Sequence, residues 1–185
     1  MDLKPEMFKR FFPLPVTLIT TVDPKGVVNA ASYSSVMPIL RPLDLIAIAS
    51  ATPRDTLKNI REMKEFVVNV MGKPSLKMAI ECAGNFPPEL NELEEVGLES
   101  ISSKKVSPPR VKDAVGWVEA KLEREITERD FSLVIGKVVF AEINDSYLDG
   151  ERLIEPPVVT LFPELRLLGD KIANDEELFE DMSFM

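Results

Sequence analysis

The sequence predicts a mainly β protein, an antiparallel barrel with helices packed outside, and three observations carry that reading. Apolar and β-branched runs recur along the chain, at residues 15–22, 45–50, 66–71 and 131–143, each short enough and branched enough to read as a strand. Helical spacing appears only in brief stretches between them, without the regular strand–helix alternation of a doubly wound parallel sheet. "WVEAKLEREI" alternates, with Val118, Ala120, Leu122 and Ile126 on one face and Glu119, Lys121, Glu123 and Glu125 on the other, the pattern of a half-exposed antiparallel strand.

In chain order, "PVTLITTV" reads as a strand that ends in "DPKG", a turn with Pro and Gly where a hairpin wants them. "VVNAAS" is then the returning strand. A Pro-studded connection, "VMPILRPLD", leads to the buried strand "LIAIAS" at 45–50. In "TPRDTLKNIREMKE", Leu57, Ile60 and Met63 recur every three residues and predict an amphipathic helix. Its start reads as Thr52 at the N-cap, Pro53 in the first turn and Asp55 completing a capping box. "FVVNVM" is a further strand, a helix runs from 75 through Cys82, and "ELNELEEV" is a solvated acidic segment. "FSLVIGKVVFAEI", residues 131–143, is one long strand or a bent pair, with Gly136 as the site for a bulge or bend. The tail after Pro157 carries "NDEELFED", read either as a solvated terminal helix or as a partner-binding segment.

A chain of 185 residues fits a single domain. With 22 Lys+Arg against 31 Asp+Glu the net charge is −9, which disfavours nucleic acid and anionic membrane surfaces as partners. No apolar run approaches the roughly 18 residues of a spanning helix, and "MDLKPEMFKRFF" lacks the apolar centre of a signal peptide, so the cytoplasm is the expected location. The single cysteine, Cys82, excludes an intrachain disulfide and reads as a core residue. The chain has no histidine, which removes Ser-His-Asp and Cys-His nucleophiles, most zinc sites and the usual proton shuttle. No acidic run has EF-hand spacing, so no metal is expected. Any enzymatic chemistry then falls to a cofactor.

None of the eight glycines forms a GxGxxG or GxxxxGK[ST] pattern, so neither a dinucleotide fingerprint nor a P-loop is present. "SATPRDTLKN" places a helix start, with its free N–H groups and positive dipole end, directly after a buried strand, and Arg54 adds a fixed charge. That is either a capped helix with a surface arginine or a phosphate site. The dipole contributes about 0.3–1 kcal/mol and an arginine hydrogen bond about 1.5–3 kcal/mol, whereas micromolar affinity needs about 8 kcal/mol. The rest of such a ligand needs a second region, and "NAASYSS", Asn29 to Ser35, is either a Ser-rich turn or that region, since its small residues let a ligand approach the main chain.

Taken together, "PLPVTLITTVD.KG..NAASYSS", "LIAIAS...RDTLKNIREMKEFVVNV" and "LVIGKVV" resemble, in order over about residues 13–145, the flavin reductase-like, FMN-binding split-barrel family, which includes flavoredoxins and reductase partners of flavin-dependent monooxygenases. The resemblance implies a homodimer of antiparallel split β-barrels with FMN near the subunit interface. It implies that Asn29, Ala30, Ala31, Ser32, Ser34 and Ser35 lie along the isoalloxazine ring and ribityl chain, with Tyr33 stacked on the ring or turned into the core. Ser50, Thr52, Arg54, Thr56 and Asn59 lie toward the phosphate, while Asp55 belongs to the helix cap. Where many NAD(P)H-using members carry Asp-His, this chain has Asp130 followed by Phe131. The expected function is an FMN-dependent oxidoreductase passing electrons from NADH, NADPH or a redox partner protein. The alternatives are an electron-transfer flavoprotein without nicotinamide turnover and a flavin-free split-barrel binding module. Trp117 is expected in the core or an interface, and residues 146–185 form a C-terminal extension that serves as lid, dimer arm or free tail.

Overall fold

Among the described residues seven strands join into one antiparallel sheet: β1 (Thr17–Val22), β2 (Val28–Tyr33), β3 (Val36–Ile39), β4 (Leu45–Ala51), β5 (Glu65–Val70), β6 (Gly116–Thr127) and β7 (Phe131–Ile143), in the order β2-β1-β5-β6-β7-β4-β3. This computed structural model describes residues 2–39 and 44–169. β2 and β3 lie at opposite edges of the sheet, yet only Ser34 and Ser35 separate them in sequence. Such a link spans roughly 10 Å at most, so the sheet must curl until its two edges face each other. Tyr33 Oη and Ser50 Oγ, 2.7 Å apart, tie the seam. The result is the expected antiparallel split barrel.

The β1–β2 hairpin turns where the sequence places it. The Asp23 carboxylate accepts from the Lys25 and Val27 N–H groups, both at 2.8 Å, and Gly26 takes φ 86°, a left-handed value that glycine adopts without a Cβ penalty. The stretch read as a connection is different: "VMPI" forms β3, with Pro38 opposite Ile46. An edge strand has one side without a neighbour, so proline's missing N–H can be accommodated there.

Both faces of the sheet are covered, which explains why β1 and β5 read as nearly unbroken apolar and β-branched runs. Ile19, Ile46, Ile48, Phe66, Val68 and Val134 pack inside the barrel, joined by Leu57 and Ile60 from the helix α1 (Asp55–Met63). The alternate residues Leu18 and Val67 face outward, where they meet Met71, Ala79, Cys82, Leu93, Val111 and Trp117. There the helices α2 (Leu76–Glu81) and α3 (Glu92–Val96) cover the sheet. Gly136 sits where a Cβ would lie 2.5 Å from Phe66 Cζ, so the ring needs that glycine to pass.

β6 departs from the expected alternation in two ways. Pairing runs Ile135 to Arg124 and Gly136 to Leu122, leaving Glu123 as an extra residue. This bulge inverts the facing beyond it, so Ile126 is exposed and Glu125 turns against Arg61 Nε at 3.0 Å. Glu119, expected on a wet face, is 0% exposed. It accepts from the Lys104 N–H at 2.8 Å, the Lys105 N–H at 2.6 Å and Arg110 Nε at 2.7 Å, because the segment between α3 and β6 lies across the outer face.

After β7 the chain returns to its own beginning: Val158–Leu161 pairs with Leu14–Pro15 on one side and Glu164–Leu167 on the other. The acidic "NDEELFED" segment lies outside the described residues. Among the described residues no helix is long and apolar enough to cross a membrane.

Candidate functional site

Where the two edges of the barrel meet, the seam widens into a cavity of about 300 Å³. Asn29, Ala31, Ser32 and Tyr33 of β2, with the Ser34–Ser35 link, form one wall, and Ala49 and Ala51 of β4 form another. Arg54, Asp55 and Thr56 close one end, and Cys82 to Phe86 together with Glu92 close the rest. "NAASYSS" is therefore the returning strand, which lies at the edge and runs on through Tyr33, with its Ser34–Ser35 link, and not merely a Ser-rich turn. Its alanines and serines leave the main chain accessible at that edge.

Eight of the sequence-predicted positions, Asn29, Ala31, Ser32, Tyr33, Ser34, Ser35, Arg54 and Thr56, converge on this cavity. The other four are near it without forming its wall. Ala30 turns its side chain into the outer core. Ser50 is buried and bonded to Tyr33 Oη. Thr52 is exposed and donates its N–H to the Asp130 carbonyl at 3.1 Å. Asn59 is buried behind the wall, where its Nδ2 donates to Thr21 Oγ1 at 3.1 Å.

The helix start is also displaced. The N-cap is Arg54, with extended φ −147° and ψ 142° and no side-chain cap bond, and Asp55 is the first helical residue. Thr52 cannot cap because its backbone prolongs the β4–β7 ladder through Asp130. α1 thus opens uncapped at the cavity, with first-turn N–H groups that no side chain of its own satisfies. The Arg54 guanidinium stands exposed beside them. This combination suits an anion.

The carboxamide of Asn29 is held on every side. Thr56 Oγ1 donates to its Oδ1 at 2.9 Å and Thr21 Oγ1 at 3.3 Å, while its Nδ2 donates to Glu92 Oε1 at 2.7 Å and Oε2 at 2.8 Å. The Ala30 N–H, on the open edge of β2, also donates to Glu92. Glu92 thereby satisfies an edge amide that no strand covers. It is only 9% exposed. Burial pushes its carboxyl above the usual range, Asp55 adds to the push, and the hydrogen bonds from Ala30 and Asn29 offset part of it.

Sequence reasoning assigned "NELEEV" to solvent and so missed Glu92. The available signal was weak: Asn91 accepts from the Leu93 N–H at 3.2 Å and donates to Glu94 at 2.8 Å, a capped helix start whose apolar Leu93 turns inward beside Glu92. Ala49, Ala51 and the turn after α2 were missed as well, since small residues in a buried strand carry no distinguishing mark. Cys82, expected in the core, is buried, and burial with Glu92 and Glu81 nearby pushes its thiol up to about 12, which leaves it inert. Among the described residues no group of three or more acidic or cysteine side chains is placed to hold a metal. What the site can do is bind and orient a ligand that brings its own reactivity.

The family model described as "Flavin reductase like domain" matches residues 8–160. An uncharacterized protein of Methanothermobacter thermautotrophicus is 43% identical over 152 residues, covering 79% of this chain and 72% of its own. Among solved structures, nitrilotriacetate monooxygenase component B from Bacillus cereus superposes with a TM-score of 0.81 at 26% identity, covering 94% of this chain and 98% of that one. The flavoredoxin of Desulfovibrio vulgaris (Miyazaki F) reaches 0.82 at 19% identity over 95% and 97% of the two chains, a likeness of fold.

Proposed function

The chain belongs to the flavin reductase-like family, and from that premise we propose that it binds FMN in the seam cavity and passes electrons from NAD(P)H or a redox partner through it. The observation that carries the reading is the pairing of an uncapped helix start and exposed Arg54 with a wall of small residues in one cavity. Arg54 and the first-turn N–H groups of α1 suit the phosphate. Ser32, Ser34 and Ser35 suit the ribityl hydroxyls, and the main chain along Ala31 and Ala49 suits the flat edge of the ring. FMN, when bound, supplies two-electron acceptance and release; the chain's part is to orient it, satisfy its polar edge and leave one face open. Glu92, the one buried carboxyl on the wall among the described residues, holds Asn29 and the Ala30 N–H in place.

A second version, in which FMN stays bound and a protein partner docks, is favoured by Phe131. It pairs opposite Ala51, which lines the cavity, and is exposed, and it follows Asp130 where many nicotinamide-using members of the family carry a histidine. Oxidation of NADH or NADPH with added FMN separates the two, because a pure carrier turns over almost none. A protein that stays colourless and leaves FMN fluorescence unquenched on titration would return the chain to a flavin-free binding module.

Arg54→Ala is expected to weaken FMN by about 1.5–3 kcal/mol and leave riboflavin nearly unchanged, measured by fluorescence titration. Equal losses for both ligands would remove Arg54 from the phosphate. The working form in this proposal is a cytoplasmic homodimer. The dimer is supported by a second, apolar groove of about 360 Å³ lined by Trp117, Val118, Ala141, Ile143, Leu153 and Pro157, of which Ile143 and Leu153 are exposed, an apolar surface that a monomer leaves in water. Sedimentation of the purified protein at monomer mass would reject the dimer.

A further inference from the structure

We infer that the carboxylates of Glu92 and Asp55 hold bound flavin at a lower reduction potential than the free cofactor, by opposing the negative charge that the ring gains on reduction. The inference rests on the proposal that FMN occupies the seam cavity. Its starting point is the charge on the cavity wall. Among the described residues three charged side chains line it: Arg54, Asp55 and Glu92. Glu92 is nine-tenths buried, and its hydrogen-bond partners are the neutral Asn29 carboxamide and the Ala30 N–H. Among the described residues neither carboxylate forms an ion pair.

Arg54 is the single cation on the wall among the described residues, and a phosphate bound at the start of α1 would take up its charge. The two carboxylates are then left without a counterion. A smaller cavity that shares Asn29, Asp55 and Glu92 with this wall adds Asp23 and Lys58, one acid and one lysine whose opposite charges leave the balance negative.

Reduction adds two electrons and one proton, a hydride in sum, to the neutral isoalloxazine and leaves it a monoanion. Negative groups lining the cavity raise the free energy of that product more than of the oxidised ring. A ligand state that binds less tightly is populated less, so the potential falls by the difference in binding of the two states. Neutral partners give Glu92 no counter-charge to cancel its field; they only fix where the carboxylate sits.

The test is the midpoint potential of the FMN-loaded protein, taken by reductive titration with dithionite against a reference dye. The wild-type potential lies below that of free FMN. Glu92→Gln raises the affinity ratio of reduced over oxidised FMN at least tenfold, an upward shift of about 30 mV for two electrons. Asp55→Asn raises it less, because its exposed carboxylate is screened. Glu92→Asp, which keeps the charge, stays near wild type and so separates charge from mere disturbance of Asn29. A wild-type potential at or above that of free FMN, or Glu92→Gln protein that holds FMN at an unshifted potential, overturns the inference. Should Glu92→Gln fail to fold, an unshifted Asp55→Asn protein overturns it equally. Protein that binds no FMN fails earlier, in the spectrum, and overturns the flavin proposal itself.

Discussion

Glu119→Ala is expected to lower stability by about 3–5 kcal/mol, a fall in Tm of about 6–20 °C for a chain of this size, read by thermal or urea unfolding. Arg110 is 2% exposed, and its guanidinium lies between the rings of Trp117 and Phe140, 5.2 and 5.0 Å from their centroids. Glu119 is its buried counter-charge and also holds the Lys104 and Lys105 N–H groups. Alanine leaves a buried cation and two amides without that acceptor. Glu142 still reaches Arg110 from a half-exposed position, a weaker hold because water competes for it. Replacing both members, as Arg110→Met with Glu119→Leu, should recover the part of the loss that comes from the stranded charge, leaving the cost of the Lys104 and Lys105 amides. A single variant that unfolds within about 1 kcal/mol of wild type would show that this pair does not pin the segment to β6.

Asn29→Asp is expected to make stability fall steeply with rising pH. The substitution keeps the shape but puts an oxygen where Nδ2 now meets both oxygens of Glu92 at 2.7 and 2.8 Å. Two carboxylates at that distance share one proton, and the pair's upper apparent pKa rises by about 2–3 units. Glu92 already lies above the ordinary carboxylate range from burial and Asp55. The sign follows from proton counting: the folded variant keeps a proton that the unfolded chain loses near pH 4, so stability falls as pH climbs past that value and levels off above the folded pKa. At 1.36 kcal/mol per unit the loss relative to acid is about 3–4 kcal/mol. Urea midpoints at pH 5 and pH 8, against wild type at the same two values, read the part of that loss that falls above pH 5, about 1–3 kcal/mol. A variant with wild-type pH dependence would place Glu92 away from Asn29.

Much of the barrel was legible because its strands are buried on one or both faces, and burial writes itself as β-branched runs or alternation. The hairpin at Asp23–Gly26 and the helix at Leu57, Ile60 and Met63 follow from local chemistry alone. β3 was not legible, since proline normally marks a break and only an edge position excuses it. Gly136 was legible as the site for a bulge or bend, and the pairing does shift there, but that the extra residue is Glu123 depends on the neighbouring strand. The burial of Glu119 was not legible, because it depends on a distant segment folding over it. In the site, "NAASYSS" and Arg54 stood out by their residue types. Glu92 did not, because a carboxylate in an acidic run looks like any solvated one until its partners are known.

The amino-acid sequence alone determined the strand-rich class, the lack of any histidine-based chemistry, and the two segments, Asn29–Ser35 and Arg54–Thr56, that converge on one cavity. Those are properties of residue type and spacing. Only the tertiary structure decided that Ser34 and Ser35 force the sheet's edges together, that α1 starts uncapped at Arg54, and that Glu92 comes from 63 residues away to hold Asn29. Each of those depends on which distant groups meet, and a buried carboxylate or an open amide acquires its meaning from its neighbours.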